Sequence, residues 1–241
     1  MRSSDRDPIF LIGLGDHHDD LAHRLMALGY RPLRAEDAMG AAMLLARVDR
    51  PVHGAILPVA GTFLDRAAEL AMLAEKAVGL SYIVTGKEPE GAAIDDLRRD
   101  GVRYCLWEAF SDHELRFVVN RALYDRTRGD VRDRTRVPTD LTVRLRNGAG
   151  ERKAGLYNLS CTGAYLDTSR SSLPGGHMTV RLPLPSGDLE LEATVVSANV
   201  PGNLKRENLP MGMGITFSPT DAESQARLEQ YVAQRARDYE L

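Results

Sequence analysis

The sequence predicts two domains, an α/β doubly wound parallel sheet followed by an antiparallel β-barrel with a C-terminal helix. Three observations carry that expectation. Up to about Asp125, short apolar runs alternate with segments whose apolar residues recur every three or four positions; after Arg136 the period drops to two; and the change of period falls in a stretch crowded with arginine. A length of 241 residues suits one large domain or two ordinary ones. With 43% hydrophobic and 27% charged residues, the chain can bury two modest cores and is too apolar to be disordered.

In the first half the apolar runs are Phe10–Leu14, Gly54–Leu57, Ser81–Thr85 and Val102–Leu106. Between and after them, Leu21, Leu25 and Leu28, then Ala41, Leu44 and Leu45, then Leu70, Leu73 and Val78, and finally Leu115, Val118, Val119 and Leu123 have helical spacing. Buried strands separated by amphipathic helices make βαβ units, and about five of them fit a compact doubly wound sheet. Beyond Arg136, Leu141, Val143 and Leu145 alternate with polar residues, and Asn147-Gly148 offers a hairpin turn. The same alternation runs through Met178, Val180 and Leu182, and again through Leu189, Leu191, Ala193 and Val195. Pro183, Pro185, Gly187, Pro201 and Gly202 punctuate these strands. Short strands at regular spacing predict a barrel or sandwich. From Asp221 to Tyr239 the period returns to helical, with Leu228, Tyr231 and Val232 on one face.

Charge and cysteine content exclude several classes. The net charge is −3, with residues 1–125 carrying 15 Lys and Arg against 20 Asp and Glu, and residues 126–241 carrying 16 against 14. Arg126, Arg128, Arg132, Arg134 and Arg136 concentrate the positive charge in one place, offset only in part by Asp130 and Asp133. A nucleic-acid binder would spread its excess over a whole domain, so this is a local anion site and no nucleic-acid partner is expected. No apolar run approaches the roughly 18 residues of a membrane helix, and none near the start has the form of a secretory signal. No membrane contact is expected. Cys105 and Cys161, far apart and alone, fit a reducing, cytoplasmic setting without disulfides.

Two separated pieces carry the sharpest signal. Arg132-Asp-Arg-Thr-Arg136 precedes the first barrel strand, and Asn158-Leu-Ser160-Cys-Thr-Gly163 leads into Ala164-Tyr165-Leu166. Together they resemble the paired signatures RxxxR and [D/N]xSxxG of the PilZ family, in that order and at that separation. The resemblance runs on through Met211–Phe217 and the last helix, over roughly residues 130–238. Either piece alone is weak, since an arginine-rich stretch is usually a solvated linker and Asn-x-Ser usually a self-capping turn.

The resemblance implies a receptor for cyclic di-GMP that binds through Arg132, Arg136, Asn158, Ser160 and Gly163. The residue chemistry suits a ligand with two phosphates and two guanines. Each arginine offers a planar fork to phosphate oxygens or to guanine O6 and N7, and a face for stacking. Asn158 offers an amide to base edges, Ser160 a hydroxyl, and Gly163 a close backbone approach. Asparagine where the family often has aspartate weakens pairing to a guanine N–H.

The first half resembles, more faintly, the receiver domain of response regulators. Gly101–Phe110 followed by Ser-Asp-His-Glu114-Leu115 looks like that family's last strand and helix entrance, and Thr85 stands where the family has its hydroxyl residue. The departures matter more. Glu108-Ala109 replaces the family's Lys-Pro, the third strand ends at Pro58-Val59 without the phosphate-accepting aspartate, and the acidic pair after the first strand is reduced to Asp16. Phosphoryl transfer needs a carboxylate nucleophile, acidic Mg²⁺ ligands and a balancing cation. This is therefore read as a pseudo-receiver that serves interaction or dimerisation.

Other constellations read as structure. Asp16-His17-His18-Asp19-Asp20 is read as a helix cap and solvated turn, because consecutive helical positions do not converge on one centre. No metal site, cofactor or catalytic residue is expected. Trp107, Phe110 and the apolar side of the 112–123 helix are taken as an interaction face. The expected domains are a pseudo-receiver over 1–124, an Arg-rich linker over 125–136 and the barrel with its helix over 137–241. The functional expectation is a non-enzymatic cyclic di-GMP receptor that orders its arginine stretch on binding and signals to an unknown protein partner through the pseudo-receiver, with a homodimer possible. The alternatives are an adaptor that no longer binds nucleotide and a phosphorylation-dependent response regulator.

Overall fold

The computed structural model describes residues 6–13, 15–59, 67–124, 135–148, 150–202, 204 and 208–241. The chain forms two compact units, Met1–Asp130 together with Asp238–Leu241, and Val131–Arg237. The last four residues, expected to finish the second domain, thus belong to the first.

The first unit is a five-stranded parallel sheet of β1 (Pro8–Ile12), β2 (Arg31–Ala35), β3 (Gly54–Pro58), β4 (Ser81–Gly86) and β5 (Val102–Trp107), in the order β2-β1-β3-β4-β5. Five helices cover it: α1 (Asp16–Ala27), α2 (Ala38–Leu45), α3 (Ala67–Lys76), α4 (Gly91–Arg99) and α5 (Asp112–Tyr124). β1, β3 and β4 are buried over nearly their whole length, as central strands covered on both faces must be. Phe10, Ile12, Ala55, Leu57, Val84 and Cys105 form one core with Ala41, Leu70, Leu73 and Leu97 from α2, α3 and α4. On the other side of the sheet, α1 and α5 are joined by Arg24 to Asp112 at 2.7 Å and by the Tyr30 hydroxyl donating to Asn120 at 2.9 Å.

Several sequence expectations shift. β2 is a half-exposed edge strand reading Arg-Pro-Leu-Arg-Ala, with no apolar run to mark it in the sequence. α4 likewise buries only Leu97. Val78, expected on an apolar helix face, lies beyond the end of α3 and is 83% exposed. The apolar side of α5, expected as an interaction face, is spent on the core: Leu115, Phe117, Val118, Val119, Ala122 and Leu123 are all buried.

The second unit is a closed barrel. β7 (Thr142–Asn147), β8 (Gly150–Ser160), β9 (Gly163–Asp167), β10 (His177–Leu184), β11 (Gly187–Asn199) and β12 (Gly212–Phe217) pair antiparallel around a ring that closes between β8 and β9, and β6 (Val137–Pro138) adds to β8. The expected alternation is met: Val143, Leu145, Val180, Leu182, Leu189, Leu191 and Val195 fill the interior. The first hairpin closes with Asn147 opposite Gly150, one residue later than an Asn147-Gly148 turn would place it. α6 (Ala222–Ala236) starts at Asp221, whose carboxylate caps the Ser224 N–H at 2.8 Å, and buries Leu228 and Val232 against the barrel core. The helix stops short of the expected Tyr239. No described helix is long and apolar enough to cross a membrane.

Candidate ligand site on the barrel

The site grows out of β8 and its neighbours. Pairing of Val137 with Leu159 and of Pro138 with Asn158 sets β6 beside the end of β8, so the chain arrives at the barrel next to the second signature. Arg136, immediately before β6, is half-buried, and its Nη1 donates to Asn158 Oδ1 at 2.8 Å. Residues 22 positions apart are thereby joined by a side-chain hydrogen bond. Asn158 itself is only 9% exposed. The amide oxygen accepts from the guanidinium, and the amide nitrogen of Asn158 carries two N–H donors. Arg132, with Arg126, Arg128 and Arg134, lies outside the described residues.

Ser160 and Gly163 flank the turn between β8 and β9. Ser160 is 1% exposed, and its hydroxyl donates to the Gly163 carbonyl at 3.0 Å across the tight Cys161-Thr162 turn between β8 and β9. The hydroxyl holds the hairpin. A Cβ on Gly163 would stand 2.3 Å from the Ile215 carbonyl oxygen of β12, far inside contact distance. The glycine is required by the close approach of β12, and Gly212 at the other end of the same seam meets the Leu166 carbonyl in the same way.

The sequence reading gave no role to the aromatic pair beside Asn158. Tyr165 sits opposite Asn158 in the β8–β9 register, its ring edge-to-face with Tyr157 at 5.8 Å, and its hydroxyl donates to the Pro210 carbonyl at 2.8 Å. Tyr157 falls at the β8 irregularity between Leu156 and Asn158, which interrupts the period of two. That irregularity is why β8 reads as a continuous buried run from Leu156 to Ser160 and hides its side-chain directions from the sequence.

A second place to look for chemistry is the C-terminal edge of the parallel sheet, where ligands of such folds bind. There β3 ends at Pro58 with no carboxylate, and the Thr85 hydroxyl donates to the Leu57 carbonyl at 3.4 Å. His18, expected in a solvated turn, is 3% exposed; its Nε2 lies 3.1 Å from the Ile12 carbonyl. A Cβ on Gly13 would meet that nitrogen at 2.8 Å, so the imidazole fills the space under the end of β1. Burial, helped by neighbouring His17, pulls its pKa below the ordinary value. Nor is the helix start a side-chain cap, since Gly15 is the N-cap residue. Among the described residues no group of His, Cys, Asp or Glu could hold a metal ion.

Comparison with known proteins gives the following. The family model described as PilZ domain matches residues 130–234. Among solved structures, the inhibitor of motility MotI/DgrA of Bacillus subtilis is 25% identical, over 45% of this chain and 52% of that one, with a TM-score of 0.38. The chain therefore spans about half of that protein. The PilZ domain of YcgR from Escherichia coli, solved with c-di-GMP, is 15% identical over 45% of this chain and 94% of that one, with a TM-score of 0.37. A signal receiver domain of an HD domain-containing protein from Pseudomonas fluorescens is 24% identical over 50% of this chain and 88% of that one, with a TM-score of 0.43. No curated protein is a significant match.

Proposed function

From the premise that residues 130–234 are a PilZ domain, preceded by a unit with the receiver fold, we propose that this protein is a cyclic di-GMP receptor that couples nucleotide binding to contacts with a protein partner. The observation that carries the reading is the 2.8 Å bond from Arg136 to Asn158, which unites the two signatures at the mouth of the β8–β9 hairpin. PilZ domains typically bind this nucleotide, and the two halves of their signature have to meet for one ligand to touch both.

In this reading Arg136 and Arg132 take the phosphates or the guanine O6 and N7, each charge-assisted contact contributing about 1.5–3 kcal/mol. Asn158 both orients Arg136 through its oxygen and presents its amide N–H donors to the acceptor edge of a base. Ser160 and Gly163 act through the backbone, holding the turn and letting β12 close against it. The arginine stretch before β6 becomes ordered over the ligand, and the shift is limited to the ligand's differential affinity for that ordered state. The receiver-like unit supplies protein contacts and not phosphoryl transfer, because β3 ends without a carboxylate and His18 fills the space beneath the end of β1. The whole is a binding protein of the cytoplasm rather than an enzyme.

Calorimetric titration with cyclic di-GMP tests this. The intact chain should bind, and Arg132→Ala or Arg136→Ala should each weaken binding at least about tenfold, roughly 1.4 kcal/mol, with circular dichroism unchanged. Added salt should weaken binding too, since exposed arginines are screened. No heat from the intact chain would leave the nucleotide-independent adaptor. Stoichiometric aspartyl phosphate after incubation with a small phosphodonor and Mg²⁺ would leave the response regulator.

A further inference from the structure

The first unit has an edge that its own sheet does not pair. β5 is the last strand in the order β2-β1-β3-β4-β5, so one row of its N–H and C=O groups has no partner among those five strands. Residues 238–241 cover that row. The Cys105 N–H donates to the Tyr239 carbonyl and the Leu241 N–H to the Arg103 carbonyl, both at 3.0 Å, with Tyr104 opposite Glu240 in antiparallel register. A single antiparallel bridge is thus added at the edge of a parallel sheet.

Tyr239 is 6% exposed, and its hydroxyl donates to Glu114 Oε1. That carboxylate is fixed by the start of α5 itself: its Oε2 accepts the Ser111 N–H at 2.7 Å while the Ser111 hydroxyl accepts the Glu114 N–H at 3.2 Å, a reciprocal capping box. The acceptor for a tyrosine is therefore built by the helix and not by the tail. Glu240 accepts from Arg121 Nη2 of α5 at 2.8 Å, and Leu241 packs on the core shared with α2, α3 and α4. Cys105 donates its thiol to the Asp238 carbonyl at 3.5 Å, and burial pushes that thiol up to about 12.

We propose that the outer edge of β5 is a strand-accepting binding site for an extended segment carrying a tyrosine, then an acidic residue, then an aliphatic one, and that residues 238–241 hold it closed in cis. Main-chain pairing gives such a site affinity, and the buried tyrosine, the Arg121 partner and the apolar contact give it specificity. The segment is held by two main-chain bonds, the side-chain bonds of Tyr239 and Glu240, the Cys105 thiol and the apolar contact of Leu241, and a partner segment of the same chemistry competes for that same set. The inference rests on the first unit alone and is independent of the nucleotide reading.

The test uses the chain lacking residues 238–241 and a synthetic peptide of residues 237–241, Arg-Asp-Tyr-Glu-Leu, followed by the amide resonances of residues 103–105. The shortened chain should show saturable shifts and the intact chain none. A peptide with Tyr239→Ala should bind about tenfold more weakly or worse. Arg121→Glu in the shortened chain should abolish the shifts, and a peptide with Glu240→Arg should restore them. Should the shortened chain fail to fold, the full-length Tyr239→Ala, Glu240→Arg variant takes its place in the same titration. Absence of shifts at millimolar peptide in a folded variant, or equal shifts in the intact chain, would overturn the proposal. Dimerisation of the shortened chain in light scattering, without peptide binding, would overturn it in favour of edge-to-edge pairing between copies.

Discussion

At the scale of single residues the proposed site separates side chains bonded across the two signatures from groups that hold the β8–β9 turn and its seam with β12. Arg136 and Asn158 are hydrogen-bonded to each other, whereas the Ser160 hydroxyl donates to the Gly163 carbonyl and the Gly163 Cα lies against β12. The difference is measurable. Gly163→Ala places a methyl 2.3 Å from a backbone oxygen that belongs to a paired strand and cannot swing aside. Overpacking of that kind costs about 1–3 kcal/mol, so the barrel's thermal transition should fall by several degrees. Arg136→Ala, by contrast, should lose nucleotide binding with little change in melting temperature. Equal stability of Gly163→Ala and the parent would show that the β9–β12 seam is looser than the geometry requires.

Among elements, α1 shows how a helix start can be used for packing rather than for solvent or metal. His18 turns inward beneath Gly13 while Asp19 pairs with Arg34, which places an imidazole in the core at the end of β1. Desolvation is the largest reason its pKa is lowered; His17 and Arg34 push the same way, while Asp19 and the bond to Ile12 oppose. A histidine whose folded-state pKa lies below its unfolded value of about 6.5 stabilises fully above that pH, and the contribution is lost as pH falls below it. Denaturant unfolding of the intact chain should therefore lose stability on acidification from about pH 7.5 to about pH 5 more steeply than unfolding of a His18→Gln variant. Parallel profiles for the two proteins would mean that His18 takes up its proton without disturbing the fold. The same logic of burial takes the apolar positions of α5 off the surface, since they pack into the core.

For the whole molecule, the two units have separate cores and the chain passes between them twice, at residue 130 and again after Arg237. Ligand recognition should follow the second unit alone. A fragment of residues 125–237 retains the arginine stretch, both signatures and α6, and should bind cyclic di-GMP within a few-fold of the intact chain in calorimetry. A fragment ending at Tyr124 should not bind it, and it also lacks the segment that covers β5. If the 125–237 fragment folds but binds more than about a hundredfold more weakly, roughly 2.7 kcal/mol, the first unit contributes directly to the ligand and the division of labour fails.

What the sequence by itself determined is whatever depends on local period and on short spacings. The switch from helical and buried-run patterns to strict alternation separated the α/β unit from the barrel, because side chains repeat every 3.6 residues in a helix and every two in a strand. The two signatures were legible for the same reason, and so was the absence of a carboxylate at the end of β3. Tertiary structure decided everything that depends on residues far apart in the chain. The edge strand β2 has no apolar run, the imidazole of His18 fills a space bordered by Gly13 and Pro58, and Gly163 is dictated by a strand fifty residues later. The tail of the chain joins the first unit because an unpaired strand edge and a preset carboxylate lie more than a hundred residues upstream. Hydrogen bonds at such separations leave no periodic trace, since pairing register and close approach are properties of two segments at once and neither segment records its partner.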